Sequence, residues 1–203
     1  MILDQLVSGV MALRAMQLRS QDRQVFIGLD LGQRENHSAI VVVERFEVMP
    51  EYTDVLRGKG PYKKYVVRAA ERVGLGTPYD EVVGRVKRMV TRLEGRCFVV
   101  VDESGVGVPV VESMRRVGMG CSIFPIVITT GQQATATSVP RAVLVTHLQM
   151  MVERRELDIA WGCRHGEELQ REMAHLQLSG KSGEEGDDLA MALALACWKA
   201  RVR

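Results

Sequence analysis

Five short segments rich in apolar residues set the order of strands in this chain. Three of them, residues 25–31 (VFIGLDL), 38–46 (SAIVVVERF) and 62–73 (YKKYVVRAAERV), follow one another with only loops between them. The other two, residues 97–102 (CFVVVD) and 121–128 (CSIFPIVI), alternate with segments of helical periodicity. A meander followed by strand–helix alternation predicts an α/β fold, in which a mixed five-stranded sheet carries helices on its faces.

Helix signals surround these strands. Ser138 and Pro140 form an N-cap and first-turn pair for a helix that runs to about residue 156. Asp187 opens a final, strongly apolar helix. The remaining predicted elements are helices over residues 78–93, 108–117 and 165–178, and a short strand over residues 157–159.

The chain is expected to hold one domain, residues 23–203, preceded by a leading helix or linker over residues 1–22. Its length of 203 residues and its 46% hydrophobic content suit one globular unit. The leading segment carries apolar residues at helical spacing, namely Leu3, Leu6, Val10, Leu13 and Met16. No signal peptide is recognisable, and the charge-free stretch 117–140 is too polar for a membrane span. We therefore expect a cytoplasmic protein.

Net charge and cysteine content exclude little. The formal charge of +2 neither demands nor forbids a nucleic-acid partner. The four cysteines are widely spaced and include no C-x-x-C pair, so neither a zinc site nor a disulfide framework is indicated. Reduced thiols are the simplest interpretation.

Three acidic positions fall where the predicted strands end and the last helix begins. Asp30 ends the first strand, Asp102 ends the fourth with Glu103 beside it, and Asp187 and Asp188 open the last helix. The carboxyl ends of neighbouring strands in an α/β sheet face one crevice, so these carboxylates meet if the first and fourth strands are neighbours. Carboxylates that close repel each other unless protons or cations intervene. Mg²⁺, with its oxygen ligands, is the natural counter-charge.

Each of these acids also has a purely structural interpretation. Asp30, two residues before Gly32, is placed to accept hydrogen bonds in a turn. Asp102 is placed to cap the turn into the next helix, and Asp187 is a natural N-cap. The joint pattern favours a metal site over three unrelated structural roles.

The motifs around these acids resemble those of one family. The segments are FIGLDLGQRENHSAIVVVER, VVVDESGVGVPVVESMRR, PIVITTGQ, SVPRAVLVTHLQ and GDDLAMALALACWKA. Their order and spacing resemble the nuclease domain of phage large terminase subunits, which are RNase H-like nucleases related to RuvC-type resolvases. The resemblance covers about residues 25–200, and it implies an RNase H-like fold.

The resemblance implies a metal-dependent endonuclease that hydrolyses phosphodiester bonds of double-stranded DNA during genome packaging, with little sequence preference. Asp30 would bridge two Mg²⁺ or Mn²⁺ ions, and Asp102 would take the place of the second acid. Asp187 or Asp188 would supply the third, with Asp188 favoured as the metal ligand and Asp187 as its catalytic first-turn partner. Resolvases carry a fourth acid one turn later, where this chain has Met191, and this departure bears on the second metal site.

Four basic residues are the candidate DNA contacts. Lys63 and Lys64 belong to a basic stretch over residues 57–72, and Arg88 belongs to another over residues 85–96. Arg141 follows an uncharged loop, at a position where family members often have Lys. Phosphate contacts of this kind would make binding salt-dependent, whereas solvated strand and helix faces are the alternative. The resemblance also implies an ATPase motor domain and small terminase or portal subunits as partners, with the isolated domain expected to be monomeric.

Three other classes fit part of the pattern. A Holliday-junction resolvase predicts an obligate dimer that prefers branched DNA. An actin-like or sugar-kinase-like ATPase shares the GLDLGQ loop but needs two such domains, and residues 178–182 (LSGKS) lack the first Walker glycine because His175 stands there. A metal-free DNA-binding or assembly module would not need the acids at Asp30, Asp102 and Asp188.

Overall fold

The computed structural model describes residues 23–32, 36–49, 60–176 and 186–202. Its strands are β1 (Gln24–Asp30), β2 (Ala39–Val48), β3 (Tyr62–Arg72), β4 (Cys97–Asp102), β5 (Ser122–Thr129), β6 (Ser138–Pro140) and β7 (Leu157–Ile159). Its helices are α1 (Tyr79–Arg92), α2 (Gly107–Val117), α3 (Arg141–Glu153), α4 (Gly166–His175) and α5 (Asp188–Val202). The leading helix predicted over residues 1–22 lies outside the described residues.

Strand β1 lies at the centre of a mixed sheet whose order is β6-β5-β4-β1-β2-β3-β7. Strands β1, β2 and β3 form the predicted antiparallel meander. Strands β4, β5 and β6 run parallel to β1 on one side of it, and β7 runs parallel to β3 at the other edge. The five predicted strands are all present, so the mixed α/β class is confirmed.

The sheet has seven strands in the described part of the chain, so the predicted count of five is wrong. Strand β7 lies over residues 157–159, where the sequence predicts a short strand, whereas β6 has only three residues and no alternating pattern that the sequence could show. Strand β6 also corrects the predicted helix start. Val139 is fully buried and the segment pairs with the end of β5, so Ser138 and Pro140 belong to the sheet and α3 begins at Arg141.

Helix α5 fills one face of the sheet. It packs against β1 and β2 and is covered on its other side by α3 and α4, whereas α1 and α2 cover the opposite face of the sheet. Residues 189–197 of α5 are each 2% exposed or less, which explains why this helix is apolar on every side. Even so, no helix within the described ranges combines the length and apolarity needed to cross a membrane.

Gly28 permits the close contact between α5 and the central strand. It lies in β1 between Phe26 and Asp30, on the sheet face that α5 covers. A methyl group at Gly28 would overlap the carbonyl oxygen of Ala192 and lie 3.1 Å from the backbone nitrogen of Ala196. The backbone of α5 therefore rests directly on β1, and only glycine fits at this point.

We expect Gly28→Ala to lower the free energy of unfolding by about 3 kcal/mol, because α5 must move away from β1 to make room for the methyl group. The matched control is Gly84→Ala in α1, where the added carbon meets nothing closer than an Arg88 nitrogen at 3.6 Å. That control should stabilise the protein by about 0.5–1 kcal/mol through helix propensity. Urea denaturation measures both, and equal effects of the two substitutions would contradict the packing described here.

Candidate active site

A polar cleft of about 330 Å³ opens at the carboxyl ends of β1 and β4, beside the start of α5. The structure brings the four predicted acids and one predicted basic residue to its wall. These are Asp30, Asp102, Asp187, Asp188 and Arg141. Asn36, Ser104 and Met191 also line the cleft. Residues separated by more than 150 positions in the chain thus share one small volume.

The strand register explains why Asp30 and Asp102 are neighbours. Leu29 of β1 pairs with Val101 of β4 in a parallel ladder, and an aspartate follows each of them. Adjacent strands lie about 4.8 Å apart. Side chains alternate between the faces of a sheet, so both carboxylates lie on the face covered by α5. The first turn of that helix supplies the other two acids.

Asp102 lines the cleft and also holds the turn that follows β4. Its Oδ1 accepts a hydrogen bond of 2.8 Å from the backbone N–H of Ser104. The hydroxyl oxygen of Ser104 in turn accepts the N–H of Ile128 in β5 at 3.0 Å. Asp102 therefore caps the turn, as one interpretation of the sequence predicts, and it also lies at the cleft wall.

Asp187 precedes α5 and forms an ion pair with Arg141, the first residue of α3. Its backbone carbonyl accepts the N–H of Met191 at 2.9 Å, as expected of an N-cap residue. Both side chains are largely buried, with 17% of Arg141 and 22% of Asp187 exposed. Arg141 thus places a fixed positive charge against one of the four acids.

Asp188 is buried at the start of α5 and has two neighbours that the sequence did not indicate. The backbone N–H of His37 donates to its carboxylate, and the guanidinium of Arg72 lies close enough to lower its pKa. Burial has the larger and opposite effect, so the pKa of Asp188 is raised from its ordinary value. His37 itself is held by a 2.8 Å contact between its Nδ1 and the carbonyl oxygen of Val73.

Glu172 of α4 supports the first turn of α5 from behind the cleft. One of its carboxylate oxygens pairs with Arg72, and the other accepts the backbone N–H of Ala190 at 2.9 Å. The side chain of Glu172 is only 6% exposed. No motif in the sequence points to this residue, because its partners come from β3 and α5.

Burial raises the pKa of Asp30 well above its ordinary value, and repulsion from Asp102, Asp188 and Asp187 raises it further. The positive charge of Arg141 acts in the opposite direction but does not offset these effects. Among the residues that the structure describes, the cleft therefore carries more negative charge than its cations balance. This is the electrostatic condition in which a divalent cation binds favourably.

The donor set of the cleft fits a hard divalent cation. All four acids offer oxygen, and Mg²⁺ often takes only one or two carboxylates and keeps several waters. As the side chains stand, no three His, Cys, Asp or Glu residues among those described form a complete metal-holding group. The cleft therefore suits an ion held by one or two carboxylates at a time, and the metal roles of Asp30, Asp102 and Asp188 stay predictions.

The other predicted DNA contacts lie away from the cleft. Arg72 pairs with Ala39, the partner of Asp30, so this end of β3 is at the cleft. Lys63 and Lys64 are eight or nine residues further along β3, about 25–30 Å away. Lys63 is exposed, whereas Lys64 pairs with Asp158 at 2.9 Å. Arg88 is exposed on α1. Their contact with DNA stays a prediction.

Comparison with solved structures identifies the fold. The large terminase nuclease from thermophilic phage G20c is 20% identical, with a TM-score of 0.57 over 88% of this chain and 83% of that chain. The Mn-soaked human cytomegalovirus terminase nuclease domain is 9% identical, with a TM-score of 0.57 over 91% and 87% of the two chains. A mutant nuclease domain of the large terminase subunit of bacterial virus Sf6, solved with manganese, is 12% identical, with a TM-score of 0.54 over 86% and 87%.

No family model and no curated protein matches the sequence. The likeness is therefore one of structure at low sequence identity, and it establishes the fold. The chain has the RNase H-like fold of terminase nuclease domains, as the sequence motifs implied.

We expect the stability of the metal-free protein to depend on pH through Asp30. Its pKa is raised by folding, so the folded state holds a proton that the unfolded chain loses above about pH 4. This contribution is present at low pH and is lost as the pH rises toward the folded-state pKa. Relative to Asp30→Asn, the wild type should lose stability with rising pH in urea denaturation. A constant difference between the two proteins would contradict the charge crowding.

The exposed residue Asp80 provides the control for that experiment. Asp80→Asn should show the same pH dependence as the wild type, because this carboxyl lies on the surface of α1, away from the cleft.

We expect Glu172→Ala to cost about 2–3 kcal/mol of stability, because it removes the ion pair of half-buried Arg72 and leaves the buried N–H of Ala190 without its acceptor. Glu172→Gln keeps an oxygen for the Ala190 N–H and should cost clearly less. Urea unfolding of the two variants measures this difference. A cost below about 0.5 kcal/mol for the alanine variant would mean that Glu172 does not support α5.

Proposed function

We propose that this chain is an endonuclease that uses divalent metal ions to hydrolyse phosphodiester bonds of double-stranded DNA, as the nuclease part of a phage terminase. The observation that carries this proposal is the gathering of four carboxylates in one cleft, with the raised pKa of Asp30 as its electrostatic consequence. The fold supports it, because solved proteins of the same fold are terminase nucleases and some were studied with zinc or manganese.

In this proposal Asp30, Asp102 and Asp188 would hold two Mg²⁺ or Mn²⁺ ions. Such ions would supply a lowered pKa for an attacking water and stabilisation of the departing oxygen of the phosphodiester. Asp30 and Asp102 are held by neighbouring strands of one ladder, and Asp188 is held by the buried α5. The protein thus contributes fixed positions for negative charge, and hydrolysis leaves a 5′-phosphate.

In this proposal Arg141 contacts a DNA phosphate, and Asp187 holds Arg141 in place. The Arg141 guanidinium is the cation on the cleft wall, and the ion pair with Asp187 fixes its position. A guanidinium suits a phosphate group, since it offers several N–H donors in one plane. Contacts to phosphates carry no base information, so cleavage with little sequence preference follows.

Lys63, Lys64 and Arg88 extend the proposed DNA contact beyond the cleft. A separation of about 25–30 Å along β3 corresponds to about eight base pairs of duplex. These residues would therefore touch the backbone well away from the bond that is cut. In the packaging machinery we expect an ATPase motor domain and small terminase or portal subunits as partners, in the host cytoplasm, with the isolated domain monomeric.

Plasmid cleavage in Mg²⁺ or Mn²⁺ tests the proposal directly. Wild-type protein should nick and linearise the plasmid, and removal of the ions with a chelator should abolish cleavage. Asp30→Asn and Asp188→Asn should each lower the rate about 100-fold or more, since several kcal/mol of transition-state stabilisation depend on the ions. Asp80→Asn is the matched control, and it should cleave like the wild type because Asp80 lies outside the cleft.

Three results would contradict the proposal and indicate another class. Preference for four-way junctions over plasmid would indicate a resolvase. ATP binding without cleavage under either ion would indicate an actin-like or sugar-kinase-like ATPase. DNA binding without cleavage, and without uptake of Mg²⁺ or Mn²⁺ in calorimetry, would indicate an assembly module that has kept only the fold.

A further inference from the structure

A second cleft lies at the opposite end of the sheet, where β4 and β5 begin. Its volume is about 660 Å³, and its wall includes Arg96, Cys97, Arg115, Met119 and Cys121. The proposed nuclease uses none of these residues, because the acids lie at the other end of β4. Two of the four cysteines of the chain therefore share a cleft that is separate from the acidic one.

The parallel register of β4 and β5 places these cysteines side by side. Phe98 pairs with Ser122, and a cysteine precedes each of them. Adjacent strands lie about 4.8 Å apart, within the roughly 4.4–6.8 Å between Cα atoms that a disulfide spans. Both side chains pack with the same core cluster, and the two thiols are hydrogen-bonded to each other. The register therefore places the two cysteines at a separation that a disulfide can span.

The two thiols differ in access and in acidity. Cys97 is buried at 3% exposure, whereas Cys121 is half-buried and opens to the cleft. The hydrogen bond from Cys97 lowers the pKa of Cys121, and the nearby Lys87 ammonium lowers it further. The pKa of Cys97 is raised by the same contact and by burial. Cys121 is therefore the thiol that reacts first, and Cys97 is the one that follows.

The charge around Cys121 favours an anionic reagent. Lys87 lies beside it and donates to the backbone carbonyl oxygen of Met119 at 3.2 Å. Arg115 and Arg96 line the same cleft, and Arg96 also pairs with the exposed Glu94 at 2.7 Å. Among the described residues, the cleft is lined by two arginines and no acid, and Lys87 lies near Cys121, so small molecules with carboxylate groups are attracted to it.

We propose that Cys97 and Cys121 form a redox-active dithiol that small anionic disulfides, of the class of glutathione disulfide, oxidise to an intramolecular disulfide. The Cys121 thiolate attacks one sulfur of the reagent, which forms a mixed disulfide and releases one thiolate. The Cys97 thiol then loses its proton and attacks the Cys121 sulfur, which forms the Cys97–Cys121 bond and releases the second thiolate. Two electrons pass to the reagent, so one disulfide is made and one is consumed.

The other cysteines explain the expected selectivity. Cys197 is 1% exposed inside α5, where reagents do not reach it. Cys163 is half-buried, but it lies in the turn between β7 and α4, away from the Cys97–Cys121 cleft. Oxidation at Cys163 would therefore stop at a mixed disulfide, and only the Cys97–Cys121 pair is placed for ring closure.

The experiment treats the reduced 203-residue chain with glutathione disulfide and maps it by mass spectrometry without reduction. We expect a loss of about 2 Da from ring closure, a cross-linked peptide pair containing Cys97 and Cys121, and the loss of both of these thiols from titration in denaturant, with any glutathionyl group on Cys163 counted separately. Cys97→Ser should trap one glutathionyl group on Cys121. Cys121→Ser should react at least about tenfold more slowly in this cleft, since the Cys97 thiol that remains there is buried. Cys163→Ser is the matched control and should close like the wild type.

Lys87→Gln tests whether the Lys87 charge activates Cys121. This substitution should slow the attack of Cys121 on glutathione disulfide several-fold at neutral pH. Wild-type mapping requires no variant, so the proposal remains testable if a variant fails to fold. A stable mixed disulfide on wild-type Cys121, faster reaction at Cys163, or no reaction under native conditions would each overturn it. Because no readout involves DNA or divalent ions, failure here is distinguishable from failure of the proposed nuclease.

Discussion

The contact between the backbone of α5 and the central strand β1 governs the rest of this structure. It depends on the absence of a side chain at Gly28, where any Cβ would overlap Ala192. This contact brings the start of α5, with Asp187 and Asp188, within reach of Asp30, which lies two residues beyond Gly28 on the same strand. The same contact between α5 and β1 therefore packs the core and brings the acids of the cleft together.

The cleft shows how a protein holds like charges together before a ligand arrives. Arg141 pairs with Asp187, and Arg72 pairs with Glu172 and lies near Asp188, so both acids at the start of α5 have a cation beside them. Asp30 forms no ion pair with any residue that the structure describes, and burial together with the proximity of the other acids raises its pKa. The charge that remains unbalanced is thus concentrated on the central strand. A cation that binds there relieves repulsion that the fold itself has created.

Much of this arrangement is predictable from the sequence, and the failures have physical reasons. The five long strands and the convergence of Asp30, Asp102 and the Asp187–Asp188 pair follow from apolar runs and from the rule that strand ends share a crevice. The short strand β6 does not, because three residues show no period, whereas the sequence predicts the equally short β7 at residues 157–159. Glu172 and the Cys97–Cys121 pair are recognised only from strand register and helix packing.

The position of α5 also has a consequence for synthesis of the protein on the ribosome. This helix forms one wall of the core, yet it comes from residues 188–202, after every strand of the described sheet. A nascent chain that lacks α5 has the meander and the parallel strands, but their apolar face is uncovered and Asp188 is missing from the cleft. Chains emerge from the ribosome amino terminus first, so the proposed nuclease would have an incomplete acidic cleft, and would not cut nearby nucleic acid, until α5 has emerged.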